Sequence, residues 1–284
     1  MQLHLLHRTT FVYAGAVRDS FNEVRLRPVE DDTQQCLKFD LRVAPAASDV
    51  IAGYLDYYGN WVNYFDLPAS HEKLVIEAES TVCTTANAER PPIPTVERTG
   101  DEAKNLMHGE YLADSHYVPL AVELWRETQD VFAESGRRDP WTDTLRLGNH
   151  VYQTFTYRQS VTGVHTLATD ALKIRAGVCQ DFAHVLLGLC RSAGMPARYV
   201  SGYFLNRSKR PGEVEASHAW IEVLVPNYGW AAFDPTHNRP CDDRYVKLAA
   251  GRDYADIRPV SGTFRGAPTK HLLVEVTLRE SAGR

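Results

Sequence analysis

Three residues of this chain carry types and spacings suited to chemistry: Cys179, His218 and Asp234. Cys179 opens a helical pattern in which Phe182, Val185, Leu186, Leu189 and Cys190 recur at i, i+3, i+4, i+7 and i+8. At about 100° per residue, Cys179 falls within the arc of that apolar stripe, so its thiol faces the body of the fold from the first turn. Free N–H groups and the positive end of a helix favour a thiolate over a thiol and can hold an oxyanion, which prepares a nucleophile. His218 lies in the strand-like run 217–225 and Asp234 in the run 230–234, with Pro226-Asn227-Tyr228-Gly229 between them as a turn. Their midpoint falls on Pro226, so a hairpin makes them cross-strand neighbours, about 5 Å apart at Cβ. Asp234 can then hold one imidazole nitrogen while the other faces Cys179.

A metal is the chemical rival. Cys179, Asp181, His184, His218, Asp234 and His237 offer zinc-ligand types, but His184 lies about 140° from Cys179 on the helical wheel. It shares the far face with Gly188 and Arg191, so these groups do not converge on one ion and no metal or cofactor is expected. The other cysteines read as bystanders: Cys190 as packing on the apolar stripe, Cys36 and Cys83 in or beside strands, and Cys241 as an exposed, inert thiol in a polar loop. Five scattered cysteines, an odd number, exclude a disulfide framework and leave at least one thiol without an intramolecular partner.

The elements that must position these groups follow from periodicity. Leu37, Phe39, Leu41 and Val43, and then Leu74, Ile76 and Ala78, alternate with polar residues as half-buried strands do. Val24 and Leu26 repeat the theme, and Gly59-Asn60 between aromatic segments marks a hairpin turn. Residues 1–84 therefore form an antiparallel β domain. The polar stretch 85–100, broken by Pro91, Pro92 and Pro94, is a linker. Residues 101–284 hold helices carrying Leu120, Leu124 and Trp125, then Leu145 and Tyr152 after Pro140, followed by the Cys179 helix, three strands and a last β signal at Leu272–Leu278.

Of the 284 residues, 44% are hydrophobic and 24% charged, which supplies one large domain or two modest ones and excludes disorder as the main state. A formal charge of −5 removes the basic surplus of a nucleic-acid binder. No apolar run is long enough for a membrane span and the first residues do not read as a leader, so a cytoplasmic protein with reduced thiols is expected.

Several blocks also carry a resemblance: Gly177-Val178-Cys179-Gln180-Asp181-Phe182-Ala183-His184, Pro196-Ala197-Arg198-Tyr199-Val200-Ser201-Gly202-Tyr203, Ser217-His218-Ala219-Trp220 and Phe233-Asp234-Pro235. In order and spacing they resemble the core of the bacterial transglutaminase-like superfamily. His7-Arg8-Thr9-Thr10, Asn22 to Pro28 and Tyr58-Gly59-Asn60 resemble the β domain that precedes that core, and Gly251 to Asp256 a recurring C-terminal block. The resemblance implies an α+β, papain-like core with a nucleophile helix packed on an antiparallel sheet. It implies Cys179 as nucleophile, His218 as general base and acid, and Asp234 as orienter, acting on a peptide or related amide through a thioester. Water resolves the thioester in a peptidase or amidase, a second amine in a transamidase, and hydrolysis is favoured here; a non-catalytic interaction module is the remaining reading. Replacing Asp234 by Asn is expected to slow the reaction with little loss of stability.

Gln180 follows the cysteine where animal transglutaminases carry tryptophan, and no Asp-x-Asp-x-Asp-Gly loop is present, so calcium dependence is not expected. The bacterial branch implies companion proteins of amide-bond metabolism, ATP-grasp-like and helical. The backbone N–H of Cys179 is one candidate oxyanion donor and Tyr152 or Tyr157 a second. Arg252, Asp253, Tyr254 and Asp256 read as a charged turn at a strand boundary, with the cleft wall as alternative. The run 206–215, with Arg207, Lys209 and Arg210, reads as a solvated loop and candidate lid.

Overall fold

The computed structural model describes residues 1–48, 50–85, 108–134, 136–207 and 217–281. Most of the expected linker, and residues 208–215 of the expected lid, lie outside them. The first sheet is organised by β1 (Gln2–Val24), a strand of 23 residues. Along one edge it pairs antiparallel with β5 (His71–Thr84), which carries β2 (Gln34–Ala44), and with β4 (Trp61–Leu67), which carries β3 (Ala52–Leu55). The expected turn joins β3 to β4, with Gly59 at φ 80° and the Asp56 carboxylate accepting from the N–H groups of Tyr58 and Asn60 at 3.0 and 2.9 Å.

The opposite edge of β1 corrects the domain boundary read from sequence. It is filled by β13 (Val260–Gly266) and β14 (Thr269–Glu280), so the chain's last strands return to the first module rather than completing a 101–284 unit. A strand this long leaves backbone groups on two edges to be paired, and pairing across some 250 residues leaves no mark in local periodicity. The alternating run in β2 is another partial miss: β2 lies at the edge of the sheet and Leu37 is 52% exposed.

The second module wraps helices around one face of a five-stranded sheet. Its strands are β8 (Ala197–Phe204), β9 (His218–Val225), β10 (Gly229–Asp234), β11 (Arg239–Pro240) and β12 (Tyr245–Gly251), in the order β11-β10-β9-β8-β12, all antiparallel. The helices are α1 (Val122–Phe132), α2 (Pro140–Thr154), α3 (Ala168–Ile174) and α4 (Cys179–Ser192). A short parallel pair, β6 (Thr156–Tyr157) with β7 (Ala176–Gly177), leads into α4. α2 starts as its sequence dictates, with the Asp139 carboxylate accepting from Thr142 N–H at 2.9 Å and Pro140 in the first turn. α1 begins after Leu120, and of the three apolar residues assigned to it only Leu124 is buried, while Trp125 is 51% exposed.

α4 is buried over Asp181–Arg191, so it has no solvent face in that span. The side expected to be distal is covered by α1 and by the chain around Tyr117 and Tyr254. Gly188 allows the first contact, since a Cβ there would stand 2.7 Å from Leu124 Cδ1. His184 stacks on Tyr117 at 5.4 Å and accepts from Tyr254 N–H at 3.3 Å through Nε2, while the Arg191 guanidinium is held by the carbonyls of Ala197 and Arg252 and the Ser115 hydroxyl. Arg252 to Asp256 forms the turn after β12, with Asp256 accepting from Arg252 and buried Asp253 from Tyr117 and Ala255 N–H groups.

The two sheets share a core in which Leu3, Leu5, Ile76, Val276 and Leu278 meet Tyr203, Leu205, Val246 and Leu248. β12 is the edge of the second sheet, and the first module satisfies its free backbone groups with two side-chain amides. Gln34 donates to Lys247 O and accepts from Lys247 N–H, both at 2.8 Å. Asn60 does the same at Ala250, at 2.9 and 2.8 Å. The Tyr58-Gly59-Asn60 block thus turns the chain and also seals an edge.

His7 crosses the same boundary, its Nδ1 lying 2.6 Å from the Tyr203 hydroxyl and its Nε2 2.8 Å from Thr9 Oγ1. Burial pushes His7 down to about 4 and also lowers His184, so both imidazoles fold in the neutral form. The unfolded chain takes up their protons below about pH 6.5. Stability contributed by these neutral histidines is therefore complete above pH 6.5 and declines as pH falls toward 4. We expect urea unfolding at pH 4.5 to show a loss on the order of 2 kcal/mol per histidine relative to pH 7, with His7→Gln flattening that slope. An equal slope in the variant would contradict the assignment for His7.

Candidate active site

Cys179 is the first residue of α4, where backbone N–H groups have no intrahelical acceptor. The start is fixed by Asp181, whose carboxylate accepts from Val178 N–H at 2.8 Å and from the Thr162 hydroxyl at 2.7 Å. Gly177 makes room, since a Cβ there would lie 2.3 Å from Asp181 Oδ2. Burial pushes the Asp181 carboxyl up, opposed by those donors. Sequence reading weighed Asp181 only as a metal ligand; the capping signal, an acidic residue at the third helical position behind a glycine, was there to be read.

His218 begins β9, and the preceding Ser217 carbonyl lies 3.9 Å from Cys179 Sγ. The start of β9 therefore abuts the start of α4. His218 Nε2–H donates to Asp234 Oδ2 at 2.7 Å, and the imidazole lies close enough to Cys179 for the two side chains to interact electrostatically. With Nε2 committed to Asp234, Nδ1 is the nitrogen left for another partner. Burial works against a charged imidazole, but the hydrogen bond to Asp234 and the electrostatic pull of Asp234 and Cys179 prevail and push His218 up to about 10.

The hairpin register differs from the expected one. β9 and β10 pair Val225 with Gly229 and Ile221 with Phe233, which places the centre at Asn227 and makes His218 and Asp234 diagonal rather than direct neighbours. The error is two residues, and because side chains alternate with period two both remain on one face. A diagonal pair remains within reach of an imidazole and a carboxylate. Asn227 and Gly229, at φ 64° and 99°, form the turn.

Asp234 is fully buried and more heavily bonded than its sequence neighbourhood suggests. Oδ2 accepts from His218 Nε2 and His237 Nδ1, both at 2.7 Å, and from the Tyr245 hydroxyl at 2.8 Å. Oδ1 accepts from the N–H groups of Thr236 at 2.8 Å and His237 at 3.3 Å. Burial favours the neutral acid, but the hydrogen bonds and charges of His218 and His237 hold Asp234 well below the usual carboxylate range. Sequence reading weighed His237 only as a metal ligand and overlooked Tyr245. His237 sits three residues past Asp234 in a turn, a placement that sends its ring back to the carboxylate; Tyr245 comes from β12, three strands along the sheet from β10, and no local signal marks it.

His237 packs its ring 4.7 Å from Phe204 and 5.2 Å from His218. Its donated bond supports the oxygen that orients His218. His237→Ala should lower kcat about tenfold, the cost of one hydrogen bond to a charged group, with KM little changed. His237→Asn, which keeps a donor, should recover most of it; equal kcat in all three proteins would remove His237 from this role.

The candidate metal ligands do not all meet. Among the described residues His218, Asp234 and His237 place ligand atoms within 4.8 Å of one another, and those atoms already bond to each other. His184 and Asp181 are held elsewhere. Tyr157 lies close enough to Cys179 for the two to interact electrostatically and is 51% exposed, whereas Tyr152 is an exposed residue of α2. The Gln180 side chain donates to Val164 O at 3.1 Å.

Of the other thiols, Cys190 is buried and pushed up to about 12 by that burial. Cys241 corrects its sequence reading: it lies partly buried against Tyr245 and Ala232, lines a cavity of about 620 Å³ with Trp220, Glu222 and Lys247, and burial raises its thiol. Arg207, in the expected lid, pairs with Glu280 at 3.4 Å. Among the described residues no helix is long and apolar enough to cross a membrane.

The family described as the bacterial transglutaminase-like N-terminal region matches residues 3–83, and the transglutaminase-like superfamily matches residues 131–235. An uncharacterized protein of Mycobacterium leprae is 32% identical over 293 residues, covering 97% of this chain and 98% of its own. A protein-glutamine gamma-glutamyltransferase of Pseudomonas aeruginosa is 31% identical over 135 residues, 44% of this chain and 20% of that protein. A solved structure from Cytophaga hutchinsonii, provisionally assigned as a cysteine protease, superposes with a TM-score of 0.73 at 23% identity over 100% of this chain and 92% of that one, a likeness of fold.

Proposed function

The chain belongs to the transglutaminase-like superfamily, and on that premise we propose that it is a cysteine-dependent acyl-transfer enzyme acting on peptide or related amide bonds. The observation that carries the proposal is the imidazole of His218, held by Asp234 through Nε2 at 2.7 Å at the start of β9, where the Ser217 carbonyl lies 3.9 Å from the Cys179 sulfur.

In this reading the Cys179 sulfur attacks the amide carbon while His218 holds the proton. The carbonyl electrons move to oxygen, where the Cys179 backbone N–H at the start of α4 stabilises the charge. The exposed hydroxyl of Tyr157 is a candidate for the second donor. As the carbonyl re-forms, the C–N bond breaks and His218 Nδ1–H protonates the leaving amine, leaving a thioester on Cys179. His218, now neutral at Nδ1, takes a proton from the water that hydrolyses the thioester. Asp234 keeps the imidazole in the tautomer with Nδ1 toward sulfur throughout.

Hydrolysis is the primary reading. Transamidation, in which a second amine replaces water, is favoured by the name of the Pseudomonas relative. Incubation with amide substrates, with and without an amine acceptor, followed by intact-mass measurement, tests both. A mass gain equal to the acyl group and mapped to Cys179 supports the thioester. Free acid in the presence of excess amine identifies hydrolysis, and an amine conjugate identifies transamidation. Turnover with no adduct on Cys179, under quenching that preserves thioesters, contradicts the mechanism.

A further inference from the structure

β14 carries a surface that the acyl-transfer chemistry does not use. Among the described residues β14 pairs only with β1, so its other edge presents unpaired backbone groups. Its C-terminal part is anchored by Val276 and Leu278 in the shared core. Its N-terminal part runs beyond that core, with Leu272, Leu273 and Val274 exposed to 58%, 55% and 42%. A free edge bearing three consecutive exposed apolar residues is a template for another strand, and natural sheets ordinarily guard such edges with charge, proline or a cover.

We propose that this edge pairs with β14 of a second copy of the chain, antiparallel and centred on Leu273. The reasoning is geometric. Two identical antiparallel strands side by side are related by a twofold axis normal to the sheet, and facing residues must point to the same side. Some residue therefore faces its own copy. Centring on Leu272 sets His271 against Leu273 and Lys270 against Val274. Centring on Val274 sets Glu275 against Leu273. Centring on Leu273 sets Leu272 against Val274 of the second copy and His271 against Glu275 of the second copy, each pair occurring twice.

Only that register of the three matches apolar to apolar and the basic ring to the carboxylate. Glu275 already lies opposite Arg8 on its β1 side, so its charge faces a cation on one flank and is open to His271 on the other. The twofold operation uses the β14 edge of both copies, which closes the assembly at two through this interface.

Sedimentation of the full chain over a range of concentrations tests this. The wild type should show a monomer–dimer equilibrium. Leu273→Lys sets two ammonium groups against each other across the axis and should give a monomer whose thermal unfolding matches that of wild type at concentrations where wild type is itself monomeric, since the residue is exposed. His271→Glu sets four carboxylates in two facing pairs and should weaken dimerisation about tenfold; adding Glu275→Lys should restore it. A wild type that is monomeric up to about 100 μM, a dimer indifferent to Leu273→Lys, growth into larger assemblies, or no rescue in the double variant each overturns the proposal.

Discussion

Replacing Cys179 by alanine should abolish acyl-adduct formation and lower turnover by about 10⁵ to 10⁶-fold, the range seen when a nucleophile that works within a triad is removed. The expected cost in stability is small, within about 0.5 kcal/mol. Cys179 is only partly buried at the rim of the core, and α4 is positioned by other groups: Asp181 caps its start and the apolar residues from Phe182 to Cys190 anchor its length. Thermal unfolding of the variant alongside its activity separates the two quantities. Cys179→Ser is a sharper probe, because it keeps the size and hydrogen-bonding ability of the side chain while removing the nucleophilic sulfur. Activity in either variant near that of wild type would place the chemistry elsewhere.

Asp234→Asn should be nearly as damaging to rate, and unlike the expectation from sequence it should also cost stability. Five donors converge on this buried carboxylate: His218, His237 and Tyr245 on Oδ2, and the Thr236 and His237 backbone N–H groups on Oδ1. An asparagine offers one acceptor oxygen and one donor group. If the oxygen faces the imidazoles, the amide N–H₂ meets two backbone donors; if it is flipped, His218 loses its acceptor. Either way buried donors are left unpaired, at about 1–3 kcal/mol each before the surroundings relax. In the flipped state His218 is no longer held with Nδ1 toward sulfur, and a fall of about 10⁴-fold is the precedent for a mis-set tautomer. The measurement is kcat at a temperature where circular dichroism shows the variant folded. A rate within tenfold of wild type under that condition would remove Asp234 from the mechanism.

The reach and the limits of the sequence have the same origin. Cys179, His218 and Asp234 were legible because each sits on a regular element whose side-chain period can be counted, and because an error of two residues in hairpin register leaves side chains on the same face. What was not legible depends on partners distant in sequence. The inner face of β1 runs Leu3, Leu5, His7 and Thr9, and the two polar members hide its period even though all four are buried. His7 is buried because Tyr203 arrives to bond it. Likewise Gln34 and Asn60 look like ordinary turn or strand residues until β12 brings its unpaired edge to them. Arg191 and His184 gave α4 an apparent polar side, which the structure instead fills with carbonyls and tyrosine rings. The return of β13 and β14 to β1 belongs to the same class, set by an edge that needs partners rather than by any local preference.

The burial of the four remaining thiols is uneven, and that makes them internal references. Cys190 is enclosed, Cys241 is partly buried, and Cys36 and Cys83 lie in strands of the first module. Competitive alkylation with limiting iodoacetamide near neutral pH, mapped by peptide mass spectrometry, therefore reads the central claim directly. If His218 and Asp234 hold Cys179 as an activated nucleophile, Cys179 is labelled first and far faster than the others, and His218→Ala removes the advantage. Labelling of Cys179 no faster than that of Cys36 or Cys83, or a rate unchanged by His218→Ala, contradicts it.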